Sequence, residues 1–551
     1  MDRPDTLRRF LLVPLAVAAV LSLAYLVIAP LSADHAAQTF RTELFERAGP
    51  VLWNNYWFGG HHLPTYSVIA PALGSWIGFR LMGVAAVLGT VALYSAIVYR
   101  HWGERALAGA VWLSAAATVS LFSGRLTFAL GVLLAVAAVF AAQRGRRALS
   151  LVLALSVALA SPVAALFLAC CGAAHWIHSL LPTGDQAPAG ARDPGPGASQ
   201  GHDRRGLEIA VASFFTAGFI ALLFPGGGDE PYVWTSFVPA VGLTLAAAAL
   251  LPRSERLVRT GMLVYALALA GAFVIATPMG GNANRLGVLL VGSLFLCASW
   301  PLRFERLDLR TGATALLLPL LLLWQFYPML RDLELVHEDP AVAASFYAPL
   351  ETALGPRLER EPARVEVLPI DSHWESARLA PAIPLARGWE RQTDRRLNRL
   401  FYRESLSPQR YLRWLRSLAV GYVAVPQGTP LDYAAEREAE LIATELPFLR
   451  EMEPVPGWRL YRVLGATPMV ERPAKLSEFS ADAFAVSTPV AGSFRVRVRW
   501  TPYWRVSAGA GCVSRSFGGW TLIEASRPGT VEVEARFSPG ARFSDGPHCR
   551  P

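Results

Sequence analysis

Through the first 330 residues, long apolar runs alternate with short polar connectors, and beyond that point the pattern changes. The runs at about 10–32, 106–121, 126–142, 207–224, 235–252, 260–276, 286–300 and 311–329 each have the length and apolarity of a membrane-spanning helix. Two blocks are too long for one upright span. In 67–99, a short interfacial helix ending at Gly78 precedes a span after Arg80, and 148–181 is divided at Ser161-Pro162, because proline disfavours helix in the residue before it. The expected count is about 11 spans. The segment 183–206 is Pro/Gly-rich and polar and reads as a flexible connector.

From 331 onward the runs are short and alternating. RVEVLPI (364–370), GYVAVP (421–426) and GWRLYRVL (457–464) read as strands, while SPQRYLRWLRSL has helical spacing with Ser407 as cap and Pro408 in the first turn. FRVRVRW (494–500) and TVEVEARF (530–537) alternate strictly, as strands with one buried face do. The predicted fold is a polytopic α-helical membrane domain over 1–330. It is followed by an extracytoplasmic α/β domain over 331–470 and a β-sandwich over 471–551.

Composition agrees with this division. Hydrophobic residues make up 53% and charged residues only 17%, which is wrong for a soluble chain of 551 residues. The net charge of +9 does not point to nucleic acid, because the arginines concentrate in short connectors such as YRHWGER, QRGRR and PRSERLVR. Those connectors fall on one face if the N-terminus is cytoplasmic and 331–551 lies outside, in a multi-pass plasma-membrane protein. Cys170, Cys171 and Cys297 sit in apolar runs and read as packing residues, whereas Cys512 and Cys549 lie in the polar C-terminal region and can pair if it is extracytoplasmic.

The most unusual connector is 34–71, which begins DHAAQTFRTELFERAG and continues VLWNNYWFGGHHLP. Asp34 follows the first span directly, where a carboxylate caps a helix or is solvated at the lipid boundary as readily as it does chemistry. Trp53, Asn54, Asn55, Tyr56, Trp57, His61 and His62 combine aromatic rings, amides and imidazoles; they suit an amphipathic ligand at headgroup level, and equally an aromatic belt. Arg80, Arg125 and Arg285 stand at span ends, either as orientation residues or as partners for a phosphate. Adjacent His61 and His62 seldom aim at one ion, and no further ligand cluster accompanies them, so no metal is expected. There is no P-loop, G-x-S-x-G or H-E-x-x-H, which argues against an ATP-driven pump and against those hydrolase classes.

The order of basic N-terminus, span, early Asp34, amphipathic helix and W-N-x-Y-x-F-G-G-x-x-L-P resembles polytopic glycosyltransferases of the GT-C type, in particular bacterial membrane proteins of the YfhO-like kind. RGWERQTDRRLNRLFYRESL, WLRSLAVGYVAVP and WTPYWRVSAGAG resemble the outer region of such proteins. The resemblance implies a polyprenyl-phosphate-linked sugar as donor, an extracytoplasmic glycan, lipid or protein as acceptor, and Asp34 as the catalytic base. Arg285, Arg125 and Arg80 would then contact the donor phosphate, and membrane lipid would be the surrounding partner. Asp34 is followed by His35-Ala36, so the acidic pair seen in metal-dependent members is missing from this loop. Two other classes stay open: a non-catalytic glycan-binding or assembly protein, and a transporter of lipid-linked glycans.

Overall fold

The computed structural model describes residues 4–181, 203–302, 308–402, 405–542 and 549, so most of the 183–206 connector lies outside the described residues. In chain order the helices are α1 (Pro4–Ile28), α2 (Ala33–Ala48), α3 (Ala70–Ile77), α4 (Phe79–Trp102), α5 (Leu107–Phe122), α6 (Leu126–Gln143), α7 (Arg147–Ala160), α8 (Pro162–Leu180), α9 (Arg205–Leu223), α10 (Trp234–Leu250), α11 (Arg256–Val274), α12 (Asn284–Ser299), α13 (Leu309–Glu334), α14 (Ala344–Arg360), α15 (Glu375–Arg378), α16 (Arg391–Leu397), α17 (Pro408–Ser417) and α18 (Glu436–Ile442). Among the described residues, eight helical stretches are long and apolar enough to cross a membrane, one of them being α4 and α5 in succession, and α7 and α10 are shorter apolar helices. The chain is thus a polytopic helical protein with a β-rich C-terminal region. It folds into two compact units that do not follow sequence order. One contains Met1–Ala29, Arg80–Ile220 and Glu230–Arg331; the other gathers Pro30–Phe79, Ala221–Asp229 and Asp332–Pro551.

In the helical unit, small residues let backbones approach closely. A Cβ on Gly109 would stand 2.2 Å from Cys297 Sγ, and one on Gly172 would stand 2.5 Å from the Gly206 carbonyl. Hydroxyls join the helices where apolar contact alone gives little drive: Ser293 donates to Gly109 O at 2.6 Å, Ser114 to Pro14 O at 2.8 Å, and Tyr265 to Ala283 O at 2.8 Å. Large apolar side chains instead face outward, such as Val274 (80% exposed) and Leu267 (73%), as a lipid-facing surface requires.

In the second unit the strands are β1 (Trp53–Asn54), β2 (His61–His62), β3 (Arg364–Val367), β4 (Val420–Pro426), β5 (Leu449–Glu451), β6 (Trp458–Val463), β7 (Lys475–Phe479), β8 (Ala483–Thr488), β9 (Gly492–Arg499), β10 (Trp504–Ala508), β11 (Gly511–Arg515), β12 (Trp520–Ala525) and β13 (Gly529–Ala535). One sheet has the order β3-β4-β6-β5, with only β3 and β4 parallel. Ser407 caps α17, accepting from Arg410 N at 3.4 Å, with Pro408 at its start, as the sequence predicts. The sheets β10-β13-β8-β7 and β11-β12-β9 share a core of Phe484 and Val486 from β8 with Phe494, Val496, Val498, Val531 and Val533, the inward positions of the two alternating runs.

The first connector supplies this unit with side chains for two separate cores. Trp57 and Phe58 pack with Phe40, Tyr347, Val365 and Trp374, while Trp53 joins the core of the two facing sheets and meets Trp504 edge-on at 5.7 Å. Gly60 (φ +125°) lets the chain turn under Trp53; a Cβ there would lie 2.5 Å from the indole. Gly388 plays the same part for Trp57, where a Cβ would lie 2.4 Å from the ring.

Cys512 on β11 and Cys549 form a disulfide, with Cα atoms 5.1 Å apart and a sequence separation of 37. In the chain-entropy account a loop of that length stabilises by up to about 4 kcal/mol. Cys512→Ser with Cys549→Ser should therefore lower the thermal midpoint of the C-terminal region. Equal midpoints for oxidised wild type and the double variant would show that the bridge adds nothing.

Candidate functional site

Each unit holds part of the predicted site. In the helical unit, Arg80 is the second residue of α4; its Nη2 donates to Ala29 O at 2.9 Å, and its guanidinium lies 5.3 Å over the Tyr25 ring near the end of α1. Tyr25 packs edge-on against Phe122, the last residue of α5, at 5.6 Å. Three residues on, Arg125 occupies the N-cap of α6, and Arg285, the second residue of α12, lies 5.7 Å over Phe128 in the first turn of α6. A Cβ on Gly83, one turn into α4, would stand 2.7 Å from Leu126, so α4 and α6 begin in contact. The three arginines therefore gather at one end of this unit, together with the N-termini of α4, α6 and α12. Helix N-termini carry partial positive charge, so this end favours an anion twice over.

In the second unit, Asp34 lies half-buried in the first turn of α2. The backbone leading into it is fixed by indoles: Trp374 Nε1 donates to Leu31 O at 2.7 Å and Trp389 Nε1 to Ala33 O at 2.9 Å. The Asp34 carbonyl accepts from Gln38 Nε2 at 2.8 Å, and the His35 ring lies between Phe79 and Trp374, at 6.0 and 5.9 Å. A carboxylate on such a support keeps its direction without an entropic cost at each encounter.

Those two tryptophans rest on a buried charge network that sequence reasoning missed. His373 stacks on Trp389 at 3.5 Å, and Arg391 lies 4.9 Å over the same ring. Arg391 bonds Asp432 through both terminal nitrogens, at 2.9 and 2.5 Å. His373 stands between Asp432, 3.4 Å away, and Glu375, 3.6 Å away. Burial alone would lower the His373 pKa, but hydrogen bonds to Asp432 and Glu375 outweigh it and raise it. One layer further in, buried Arg387 meets Asp394 in a bidentate pair, at 3.1 and 2.6 Å, and Tyr402 also donates to Asp394. Glu438 and Glu366 approach Arg387 at 3.5 and 3.8 Å. The available signal was the density of charge in RGWERQTDRRLN (387–398); its partners at 366, 375, 432 and 438 are scattered and carry no motif.

Most polar side chains of the aromatic connector are committed to internal bonds, while Asn54 Nδ2 and both His61 nitrogens are buried with no hydrogen-bond partner among the described residues. Trp53 Nε1 donates to Asn55 Oδ1 at 2.7 Å, Asn55 Nδ2 to Ser480 O at 3.0 Å, and Trp57 Nε1 to Ser376 O at 3.0 Å. Asn54 Oδ1 accepts from Tyr56 N at 3.0 Å, and Tyr56 itself is half-buried. His62 Nδ1 faces Pro225 O at 3.3 Å and Nε2 faces Thr501 Oγ1 at 3.1 Å. A carbonyl only accepts, so the proton sits on Nδ1 and the threonine hydroxyl donates to Nε2. His61 stacks flat on Trp57 at 5.7 Å, with Nε2 3.9 Å from Glu390, which is itself bonded to buried Arg41 at 2.9 Å. Burial pushes His61 down to about 3, helped by Arg41, and His62 down to about 4. Both rings are therefore neutral at physiological pH. The one grouping of metal-ligand types among the described residues is Cys512, Glu524 and Cys549, whose sulfurs are bonded to each other.

The network carries a pH signature. Burial pushes Glu438 from its ordinary 4.5 up to about 7. The folded protein thus keeps a proton that the unfolded chain has released, and this group's contribution to stability falls as pH rises from about 4.5 through about 7. Glu438→Gln removes the titration, so the variant's stability relative to wild type should rise with pH across that window. His61 and His62 contribute the opposite slope on the acid side, equally in both proteins, and cancel in the difference. Denaturant midpoints of the pair at several pH values check this; a difference that does not vary with pH would show that Glu438 is not the titrating group.

Comparison with protein-family models and with curated proteins finds no match for this chain.

Proposed function

We propose that the chain is an inverting membrane glycosyltransferase of the GT-C type, transferring a sugar from a polyprenyl-phosphate donor to an extracytoplasmic glycan, lipid or protein. In this reading the helices make about 11 spans, with the N-terminus cytoplasmic and 331–551 outside. The observation that carries it is the convergence of Arg80, Arg125 and Arg285 with three helix N-termini at one end of the helical unit. A departing polyprenyl phosphate gains negative charge as the glycosidic bond breaks, and guanidinium forks relieve that charge. Asp34, in the second unit, is the candidate base: a carboxylate at a pinned helix start able to take an acceptor hydroxyl's proton as oxygen attacks the anomeric carbon. The chemistry needs no metal, and none is assigned.

The non-catalytic assembly reading is favoured by a different observation, the commitment of the Trp53–His62 side chains to internal packing and hydrogen bonds. The two readings separate by assay. With purified protein and a polyprenyl-phosphate sugar, Asp34→Asn should fold normally and lose turnover by about 10²–10⁴-fold, because an amide cannot accept the proton. Arg285→Ala should weaken use of the donor while leaving the base in place. Full turnover by Asp34→Asn would remove Asp34 as base and direct attention to Glu43 or Glu46, since Asp229 is already paired with Arg395 at 2.8 Å. Wild-type protein inert with every such donor would favour assembly.

A further inference from the structure

The strand β9 carries Arg495, Arg497 and Arg499 on the face opposite Phe494, Val496 and Val498. Arg364, at the start of β3, is fully buried. Arg364 Nη1 donates to Leu418 O at 2.9 Å, and Arg497 Nη1 reaches the adjacent carbonyl, Ser417 O, at 3.5 Å. Arg499 Nε donates to Phe58 O at 2.7 Å, and its guanidinium lies 4.9 Å over Trp520. Trp520 and Leu418 both lie within 3.4 Å of where a Cβ on Gly59 would be. These contacts gather the three guanidiniums around the C-terminal end of α17.

Their donors are not used up. Arg364 Nε and Nη2 and Arg497 Nε are buried with no hydrogen-bond partner among the described residues. No carboxylate among those residues forms an ion pair with Arg364, Arg497 or Arg499; Glu471, whose charge acts on Arg497, is paired with Arg495 at 3.5 Å. Arg364 is pushed down to about 9 by burial and by the charges of Arg499 and Arg497, and Arg499 to about 10 by burial and by the charge of Arg396. An arginine stays protonated near neutrality, so these groups remain charged and uncompensated. Natural interiors rarely keep a buried cation without a partner.

We propose that Arg364, Arg497 and Arg499 form a binding site for a phosphate group. A phosphate offers several charged oxygens to several forks at once, which a single carboxylate does not. Arg497 and Arg499 are partly exposed and give the route in, and Arg364 closes the back. The phosphate belongs either to a free phosphate ester or to a lipid headgroup. The site shares no residue with the proposed donor arginines and does not depend on the glycosyltransferase reading.

The test uses the full chain in phosphatidylcholine nanodiscs, with inorganic phosphate as probe in equilibrium dialysis at constant ionic strength. Saturable binding is expected, weakened about tenfold or more by Arg497→Gln and by Arg364→Met, and unchanged by Arg515→Gln at the exposed end of β11. If Arg364→Met does not fold, Arg497→Gln still decides, because that side chain is half-exposed. Discs doped with phosphatidic acid separate the sources: a rise in the apparent Kd for phosphate that Arg497→Gln abolishes assigns the site to a lipid headgroup, and an unchanged Kd assigns it to a soluble phosphate ester. Absence of saturable binding overturns the proposal. So does binding that survives in Arg497→Gln and is lost in Arg285→Ala, which would belong to the helical unit.

Discussion

The second unit depends on a ten-residue hairpin, Trp53 to His62, that has almost no secondary structure of its own. Its two strands are two residues each, too short to be stable alone. The surrounding unit holds them by backbone bonds from three directions: Asn55 N to Ala481 O, Leu385 N to Tyr56 O, and Arg499 N to Gly59 O, all within 2.8 Å. In return the hairpin supplies Trp57 and Phe58 to one core and Trp53 to another. Pieces far apart in sequence thus share one small element, and the aromatic content of the connector follows from that packing load. Gly60 and Gly388 mark where the load is tightest.

The same unit shows how a catalytic candidate is held through other groups. Trp374 and Trp389 bond the backbone beside Asp34, and their rings are held by Arg378, His373 and Arg391. Behind these lies a network with more carboxylates than guanidiniums; burial pushes Glu366 and Glu438 up, neighbouring carboxylates add to it, and Asp394 and Asp432 are held low by Arg387, Arg391 and their hydrogen bonds. Buried ion pairs of this kind contribute little net stability over apolar packing, and breaking one partner is costly. Their consequence here is geometric: they fix the indole planes that in turn fix the start of α2.

Much of the fold was legible because its signals are local. Apolar length marks the helices of the first unit, Ser161-Pro162 divides α7 from α8 and starts α8 with a serine cap, and period-two alternation gives β9 and β13 their faces. Strands β7, β8 and β10 to β12 lacked that strict alternation and were read only as part of an all-β region. The arginines at span ends were legible as candidates, while their gathering around the α5–α6 turn was not, because it depends on Gly83 and Tyr25 packing between helices. The charge network was invisible for the same reason: Arg387 finds its acids 7 and 51 residues later along the chain. The grouping of Pro30–Phe79 with residues beyond 332 has no local signal at all.

Two sets of arginines in the second unit are treated oppositely by the fold. Arg387 and Arg391 are surrounded by carboxylates. Arg364, Arg497 and Arg499 have main-chain carbonyls and one another. Carbonyls at a helix C-terminus offset part of a positive charge, roughly half a unit for a whole helix, and three guanidiniums exceed that several-fold. A chain able to build the first arrangement has acids available for the second. Their absence around Arg364 among the described residues therefore marks a charge left for a bound anion to neutralise.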